Sequence, residues 1–223
     1  MIDESKIFNI KDRKSFNVIA LKIFLEQYKS VPIYKNYVDQ LNIDPSKVKN
    51  LHSIPFMPIR FFKTHNVLHK EHHPEITFLS SGTTNTHKSK HLLCSTETYE
   101  KSFLKSFELF YGDISSFTIL ALLPSYIEQK SSSLIYMVNK LIDLSKHTSA
   151  YISLTDKNSI NKIKNLRKEK VMLIGVSYAL LDLSEKHELD LSNWIIMETG
   201  GMKGRRKELT RNELHNKLQK NYQ

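Results

Sequence analysis

The chain has 223 residues, of which 40% are hydrophobic and 25% are charged, a balance that argues against a disordered polypeptide and allows one sizeable core or two small ones. The formal net charge is +10, but lysines are spread along the whole sequence, so a solvated basic surface is favoured over a dedicated nucleic-acid face. The sequence contains no run of about 18 apolar residues, the length that a membrane-spanning helix needs. Its single cysteine fits a reducing compartment, so we expect a cytoplasmic protein without a membrane span.

The first part of the chain, residues 1–73, predicts a helical segment. Residues 16–30 carry apolar side chains at helical spacing, and a second short helix is expected from Ile33 to Leu41. The stretch from Asp44 to His73 is broken by prolines, but its IPFMPIRFF core is too apolar for a free linker. We therefore expect this N-terminal segment to pack on the main domain.

From residue 74 onwards, short apolar runs alternate with amphipathic helical patterns. The predicted strands are residues 76–80, 90–95, 117–123, 150–154, 171–175 and 193–198. The predicted helices are residues 97–111, 131–146, 157–168, 177–187 and a last helix that begins at the Thr210–Glu213 capping box. This alternation is typical of an α/β fold with a mostly parallel sheet flanked by helices. We expect residues 74–223 to form an α/β nucleotide-binding domain.

Glycine is rare in this chain, and four of the six glycines lie in two loops that each follow a predicted strand. These are Gly82 in the first loop and Gly200, Gly201 and Gly204 in the second. Glycine is needed where the backbone takes a positive φ or approaches a ligand closely. Because loops at the carboxyl ends of parallel strands line a ligand crevice, we expect both loops to lie at one sheet edge and to form a single site.

The first of these loops surrounds its glycine with hydroxyl side chains and is followed by lysines. It reads FLSSGTTNTHKSKH over residues 78–91. Hydroxyls and amides around a flexible glycine can bind phosphate oxygens, and lysine supplies the compensating charge. The loop is not a Walker A motif, because no second glycine precedes a Lys-Ser/Thr pair. From these residues alone, a phosphate-binding loop and an ordinary polar turn are both open.

Three separated motifs, in order, resemble one enzyme family. Ser-Ser-Gly-Thr-Thr followed by Lys88 resembles the phosphate loop of adenylate-forming enzymes. Together with IPFMPIRFFKTH (residues 54–65) and METGGMKGRRKE (residues 197–208), it is similar to the acyl-protein synthetase (LuxE) family, over residues 15–223. The resemblance implies an N-terminal adenylate-forming domain that uses Mg-ATP to convert a carboxylic acid, typically a fatty acid, into an acyl-adenylate. The acyl group then passes to a thiol on an acyl-accepting protein or carrier.

The same resemblance assigns site residues in both loops. Thr83 and Lys88 would be catalytic. The residues that would hold the β- and γ-phosphates of Mg-ATP are Ser80, Ser81, Gly82, Thr83, Thr84 and Lys88. The residues that would border the adenine and the acyl chain are Gly200, Gly201 and Met202.

The chain also departs from the superfamily pattern. Asn85 stands where a glycine is usual and His87 where a proline is usual. The Tyr-Gly-x-Thr-Glu motif, the ribose-binding aspartate, the lysine of the C-terminal lid and the acyl-accepting cysteine have no counterpart before Gln223. We therefore expect an N-terminal fragment or truncated product that does not turn over alone. The alternatives are a noncatalytic nucleotide-binding or scaffolding remnant and, ranked last because no recognition motif is visible, a nucleic-acid-binding module.

Two further groups of reactive residues favour structural roles. Cys94 lies on a predicted buried strand, so a buried structural thiol is expected rather than a nucleophile. His69, His72 and His73 crowd one loop, but no cysteine or carboxylate cluster accompanies them, so we predict a solvated loop and no metal site there.

Overall fold

A computed structural model describes residues 4–80, 88–124, 131–166 and 169–222. The chain divides into two compact units, one ending at Ser106 and the other beginning at Phe107. Across the described ranges, no helix combines the length and the apolar character needed to cross a membrane.

The first unit contains helices and a small sheet. Its helices are α1 (Arg13–Ser30), α2 (Pro32–Gln40), α3 (Phe61–Thr64) and α4 (Glu97–Tyr111), which runs on into the second unit. Short 3-10 turns lie at Glu4–Asn9, Pro45–Lys47 and Leu51–Ser53. The strands are β1 (Ile76–Leu79) and β2 (Lys90–Leu93).

Local signals explain where α1 and α2 begin. Asp12 caps α1 by accepting a hydrogen bond from the Ser15 amide at 2.7 Å, and the Ser15 hydroxyl accepts one from the Asp12 amide at 3.3 Å. Pro32 begins α2 at a position where its missing N–H is not required. The two helices pack around a small core that includes Phe24 and Val38, together with Val48 and Ile54. Both helices predicted for the N-terminal segment are confirmed.

Strands β1 and β2 form an antiparallel pair in a two-stranded sheet of their own. Ile76 pairs with Leu93 and Leu79 with Lys90. The prediction of two strands is confirmed, but the expectation that they join the parallel sheet is wrong. Only residues 80–89 separate them, and a parallel connection needs a crossover of about a dozen residues or more.

The second unit is an α/β structure with a four-stranded parallel sheet in the order β4-β3-β5-β6. The strands are β3 (Thr118–Leu122), β4 (Ala150–Tyr151), β5 (Val171–Val176) and β6 (Ile195–Thr199). The helices are α5 (Ser133–Leu144), α6 (Lys157–Asn165), α7 (Ser177–Lys186) and α8 (Arg211–Asn221), and a 3-10 turn lies at Ile114–Ser116. Strands β3 and β5 are buried along their whole length, as expected for a parallel sheet flanked by helices. The predicted α/β class is confirmed here.

The last helix begins where its sequence signal lies. The Thr210 amide donates to the Glu213 carboxylate at 2.8 Å, and the Glu213 amide donates to the Thr210 hydroxyl at 3.3 Å. This reciprocal pair satisfies two amides that would otherwise lack a partner. The predicted capping box is confirmed.

Candidate functional site

Three lysines surround one cavity in the first unit. The cavity has a volume of about 440 Å³ and is lined by Lys63, Thr64, Leu79, Lys88 and Lys90. This volume lies within the range of about 300–1,000 Å³ that is usual for small-molecule sites. Among the described residues that line the cavity, none is a carboxylate that could neutralise the three ammonium groups. We call this group of residues the lysine cavity.

Helix α3 and strand β2 bring the lysines together. Lys63 lies on α3, and Lys90 begins β2 opposite Leu79. Phe62 precedes Lys63 on α3, and His91 follows Lys90 on β2. The Phe62 ring packs edge-on against the His91 ring, with centroids 6.0 Å apart. This contact holds α3 against β2 and fixes the spacing of two lysines that are far apart in sequence.

A pair of serines closes the base of the loop between β1 and β2. The Ser80 amide donates to the Ser89 carbonyl at 3.0 Å, and the Ser89 amide donates to the Ser80 hydroxyl at 3.0 Å. This pair fixes the backbone on both sides of the loop. The Ser80 hydroxyl accepts in that pair, so its own proton is left to donate to another acceptor. Ser89 is the immediate neighbour of Lys88, which lines the cavity.

The charge of the lysine cavity comes from its ammonium groups rather than from a histidine. Burial lowers the pKa of the His91 imidazole, which therefore favours the neutral form. All three lysine side chains reach solvent, so their combined field attracts multiply charged anions and weakens as salt is added. The arrangement suits phosphate groups better than a neutral ligand.

Sequence reasoning identified only part of this cavity. Ser80 and Lys88 are among the described residues, but the other predicted phosphate contacts lie outside the described residues: Ser81, Gly82, Thr83 and Thr84. Lys63 and Lys90 were not predicted as site residues. Both stand inside motifs that the sequence offers, yet no local pattern indicates that α3 would reach β2.

The second glycine loop follows β6 in the second unit. Gly200 and Gly204 have φ angles of 83° and 69°, and Lys203 has a φ of 53°. A left-handed backbone favours glycine, which explains the first two positions. Around Gly201, no atom lies within 4 Å of the place where a Cβ would stand. The loop therefore leaves backbone accessible at Gly201.

Two arginines fasten this loop to α7. The Arg206 guanidinium donates to Asp182 at 2.9 Å and to Glu185 at 2.7 Å. The Glu185 carboxylate, and then that of Asp182, raises the pKa of Arg206, and Arg206 in turn lowers the pKa of Glu185. The Arg205 guanidinium lies 4.9 Å from the ring centroid of Tyr178. These contacts give both arginines structural partners within the second unit.

Buried contacts fix the start of the same loop. The side chain of Met202 is 1% exposed and packs in the interior of the second unit. At the end of β6, the Glu198 carboxylate accepts a hydrogen bond from the Ser177 hydroxyl at the beginning of α7. Opposite Glu198 in the sheet stands Gly175 of β5. Gly200 and Gly201 thus follow a strand end that is held in place from two sides.

The two glycine-containing loops do not extend from one sheet edge. The first joins the antiparallel strands β1 and β2, whereas the second follows β6 of the parallel sheet in the other unit. The expectation of two loops at a common carboxyl edge is therefore wrong. It assumed that every predicted strand belongs to one sheet, but the short β1–β2 connection requires a separate hairpin.

The predicted burial of Cys94 is also wrong. Strand β2 ends at Leu93, whose carbonyl accepts a hydrogen bond from the Glu75 amide at 2.8 Å, and Cys94 lies beyond this last pair with an exposed side chain.

In the histidine-rich loop, the rings of His69 and His72 are 4.4 Å apart. No group of three His, Cys, Asp or Glu side chains that could hold a metal ion occurs in the part of the chain that the structure describes.

Comparison with known protein families finds no family that matches this sequence, and no curated protein matches it either. What the chain does is therefore inferred from its own residues.

Proposed function

We propose that this chain binds Mg-ATP and activates a carboxylic acid, most simply a fatty acid, as an acyl-adenylate in the manner of the acyl-protein synthetases. The acyl group would then pass to a thiol acceptor. The lysine cavity is the observation that supports this proposal best, because it gathers three lysines next to the hydroxyl-rich segment that resembles a phosphate loop.

A triphosphate with its magnesium ion fits the donor set of the cavity. Ammonium groups neutralise phosphate oxygens, and the Ser80 hydroxyl offers a further hydrogen-bond donor at the base of the loop. Magnesium keeps several waters and binds readily through substrate phosphates. Since none of the described lining residues is a carboxylate, the phosphate oxygens and water would hold the ion there.

The proposed chemistry needs this charge where a leaving group develops. A carboxylate oxygen of the acid attacks the α-phosphorus, the bond to the β-phosphate oxygen breaks, and pyrophosphate leaves with the electron pair. Negative charge grows on the departing pyrophosphate, so cations fixed in advance stabilise the transition state more than the bound substrate. Lys88 would serve this role together with Lys63 and Lys90, with Thr83 as a further catalytic hydroxyl.

Within the second unit, the loop after β6 offers a surface of its own that would suit a flat ring such as adenine. Gly200 and Gly201 present backbone without a side chain, which lets a flat ring approach closely. Met202 would support the loop from the interior, since its side chain is buried.

Calorimetric titration with Mg-ATP and with pyrophosphate tests the anion site. An exposed cation about 4 Å from one negative charge contributes on the order of 1 kcal/mol, so Lys63→Ala, Lys88→Ala and Lys90→Ala should each weaken binding about fivefold. The matched control is Lys22→Ala, which removes an exposed lysine of α1 outside the cavity. Equal affinities for the Lys88→Ala variant and the control would contradict the assignment.

Exchange of labelled pyrophosphate into ATP then separates activation from nucleotide binding alone. Exchange that depends on an added fatty acid and falls in Lys88→Ala supports acid activation. Binding of Mg-ATP without exchange for any acid fits both the expectation that residues 1–223 do not turn over alone and a noncatalytic nucleotide-binding or scaffolding protein, which would need the same cations.

A further inference from the structure

The parallel sheet of the second unit has two edge strands, and they differ in how they end the sheet. Strand β4 has only two residues, Ala150–Tyr151, and so short an edge offers few backbone groups for pairing. Strand β6 pairs with β5 in continuous register over all of Ile195–Thr199. Within the ranges that the structure describes, the backbone of β6 has no hydrogen-bond partner on its other side. We call this unpaired side the β6 edge.

The β6 edge lacks the features with which proteins block unwanted strand pairing. Lysine, proline and bulges on an edge strand discourage the addition of another strand. The sequence Ile-Ile-Met-Glu-Thr contains neither lysine nor proline, and its one carboxylate, Glu198, already accepts a hydrogen bond from Ser177. The chain has 33 lysines and arginines in 223 residues, yet none lies in residues 187–202. All five residues of β6 are partly exposed, so apolar surface is accessible beside the unpaired backbone.

The unpaired backbone groups specify an extended chain as their partner. Alternate residues of β6 direct their N–H and C=O groups away from β5, at a spacing that another strand matches. Such main-chain hydrogen bonds are the means by which an extended segment adds to an exposed sheet edge. A compact small molecule would satisfy a few of these groups and leave the others unpaired. The β6 edge therefore fits a strand of another polypeptide.

The charges on either side of β6 favour an antiparallel second copy as that polypeptide. Before the strand, Glu188 and Asp190 are acidic and no cation lies among residues 187–194. After it, residues 203–207 carry four basic side chains, one of them the Arg206 that already pairs with α7. Two antiparallel β6 strands place the acidic segment of each copy beside the basic segment of the other, whereas a parallel pair would place like charges together.

We propose that two copies of this chain associate through the β6 edge, with the two β6 strands antiparallel, so that two four-stranded sheets become one eight-stranded sheet. Full overlap of Ile195–Thr199 puts Met197 on the two-fold axis and Glu198 opposite Ile196, so no charge faces a like charge. The same surface is used on both chains, so the contact closes as a dimer and does not continue into a fibre. This inference does not rest on the proposed function, because it requires neither ATP nor turnover.

Light scattering and amide exchange on the wild-type protein test the dimer without any substitution. Repulsion between two chains of formal charge +10 weakens the contact, so it forms at high concentration. The measured mass should rise from 26.0 kDa towards twice that value between about 5 and about 500 μM. Over the same range, alternate amides of Ile195–Thr199 should exchange about tenfold more slowly, because they gain hydrogen bonds. The amides of Ala150–Tyr151 on the other edge strand are the internal control and should not change.

Charge variants at the two-fold axis test the antiparallel register. Met197→Lys puts two lysines opposite each other and should weaken association about tenfold, and Met197→Glu should do the same. A mixture of the two variants pairs opposite charges, so it should form more dimer than either variant alone. The control is Leu109→Lys, which adds the same charge at an exposed residue of α4 in the second unit and should leave the dimer unchanged.

Each outcome decides the proposal. Concentration-dependent dimerisation with slower exchange in Ile195–Thr199, loss in each charge variant and recovery in the mixture support it. A protein that stays monomeric at the highest concentration overturns it, as does a dimer in which the exchange of Ile195–Thr199 is unchanged. Assemblies larger than a dimer, or a mixture no more dimeric than its components, also contradict it. If the charge variants do not fold, the exchange measurement on the wild-type protein decides alone.

Discussion

Gly175 lies where β5 turns into α7, directly opposite Glu198 at the start of the second loop. A Cβ at this position would stand 2.6 Å from Cδ2 and 2.7 Å from Cγ of Leu180. Leu180 is fully buried, so its side chain has no solvent to move into. Overpacking of this kind costs about 1–3 kcal/mol, and Gly175→Ala should lower the free energy of unfolding of the second unit by that amount.

Urea unfolding followed by the fluorescence of Trp194, the only tryptophan, measures this effect within the same unit. Gly201→Ala is the control, because no atom lies within 4 Å of its added Cβ, and its stability should change by less than about 0.5 kcal/mol. Leu180→Ala should relieve the clash, so the double variant should lose less than the sum of the two single changes. A Gly175→Ala protein that unfolds at the wild-type urea concentration would refute the close packing of β5 on α7.

Two further predictions concern charged contacts in the second unit. Arg206→Gln should cost about 1 kcal/mol, because two carboxylates of α7 lose a partly exposed partner, and it should speed amide exchange across residues 200–206; unchanged exchange would show that the arginine does not anchor the loop. The Thr118 hydroxyl makes the largest contribution to a lowered pKa of Glu169, whose ordinary value is 4.5, and Lys146 makes the next. The stability that the Glu169 carboxylate contributes is therefore present above pH 4.5 and is lost as the pH falls through its folded-state pKa. The urea midpoints of wild type and Glu169→Gln should differ at pH 7, and the difference should shrink as the pH falls below 4.5. A difference that is independent of pH would contradict this interpretation.

Much of the secondary structure follows from local sequence. The helix predicted at residues 97–111 has the same bounds as α4, and the capping box at Thr210 places the start of α8. Helical periodicity and end capping depend on residues a few positions apart, so one sequence can reveal them. The residues of a strand do not by themselves indicate whether it pairs in parallel or antiparallel. For β1 and β2 that information lies in the length of the connection, since residues 80–89 are too few for a parallel crossover.

The candidate site was less predictable because contacts between distant residues build it. Lys88 could be found from its place after the hydroxyl-rich loop, but Lys63 reaches the same cavity only because Phe62 packs on His91. Nothing in the local sequence specifies that contact. Burial at a strand end is equally hard to infer, as Cys94 shows, since it depends on where pairing stops.

The central claim is that the lysine cavity binds the phosphates of Mg-ATP, and lysine reactivity tests it at the level of single residues. Limited acetylation followed by peptide mass spectrometry measures how accessible each amine is, with and without saturating Mg-ATP or pyrophosphate. Lys63, Lys88 and Lys90 should lose reactivity together with either ligand, while Lys22 should react as before. Unchanged reactivity of the three cavity lysines at saturation would contradict the account, as would protection confined to other lysines.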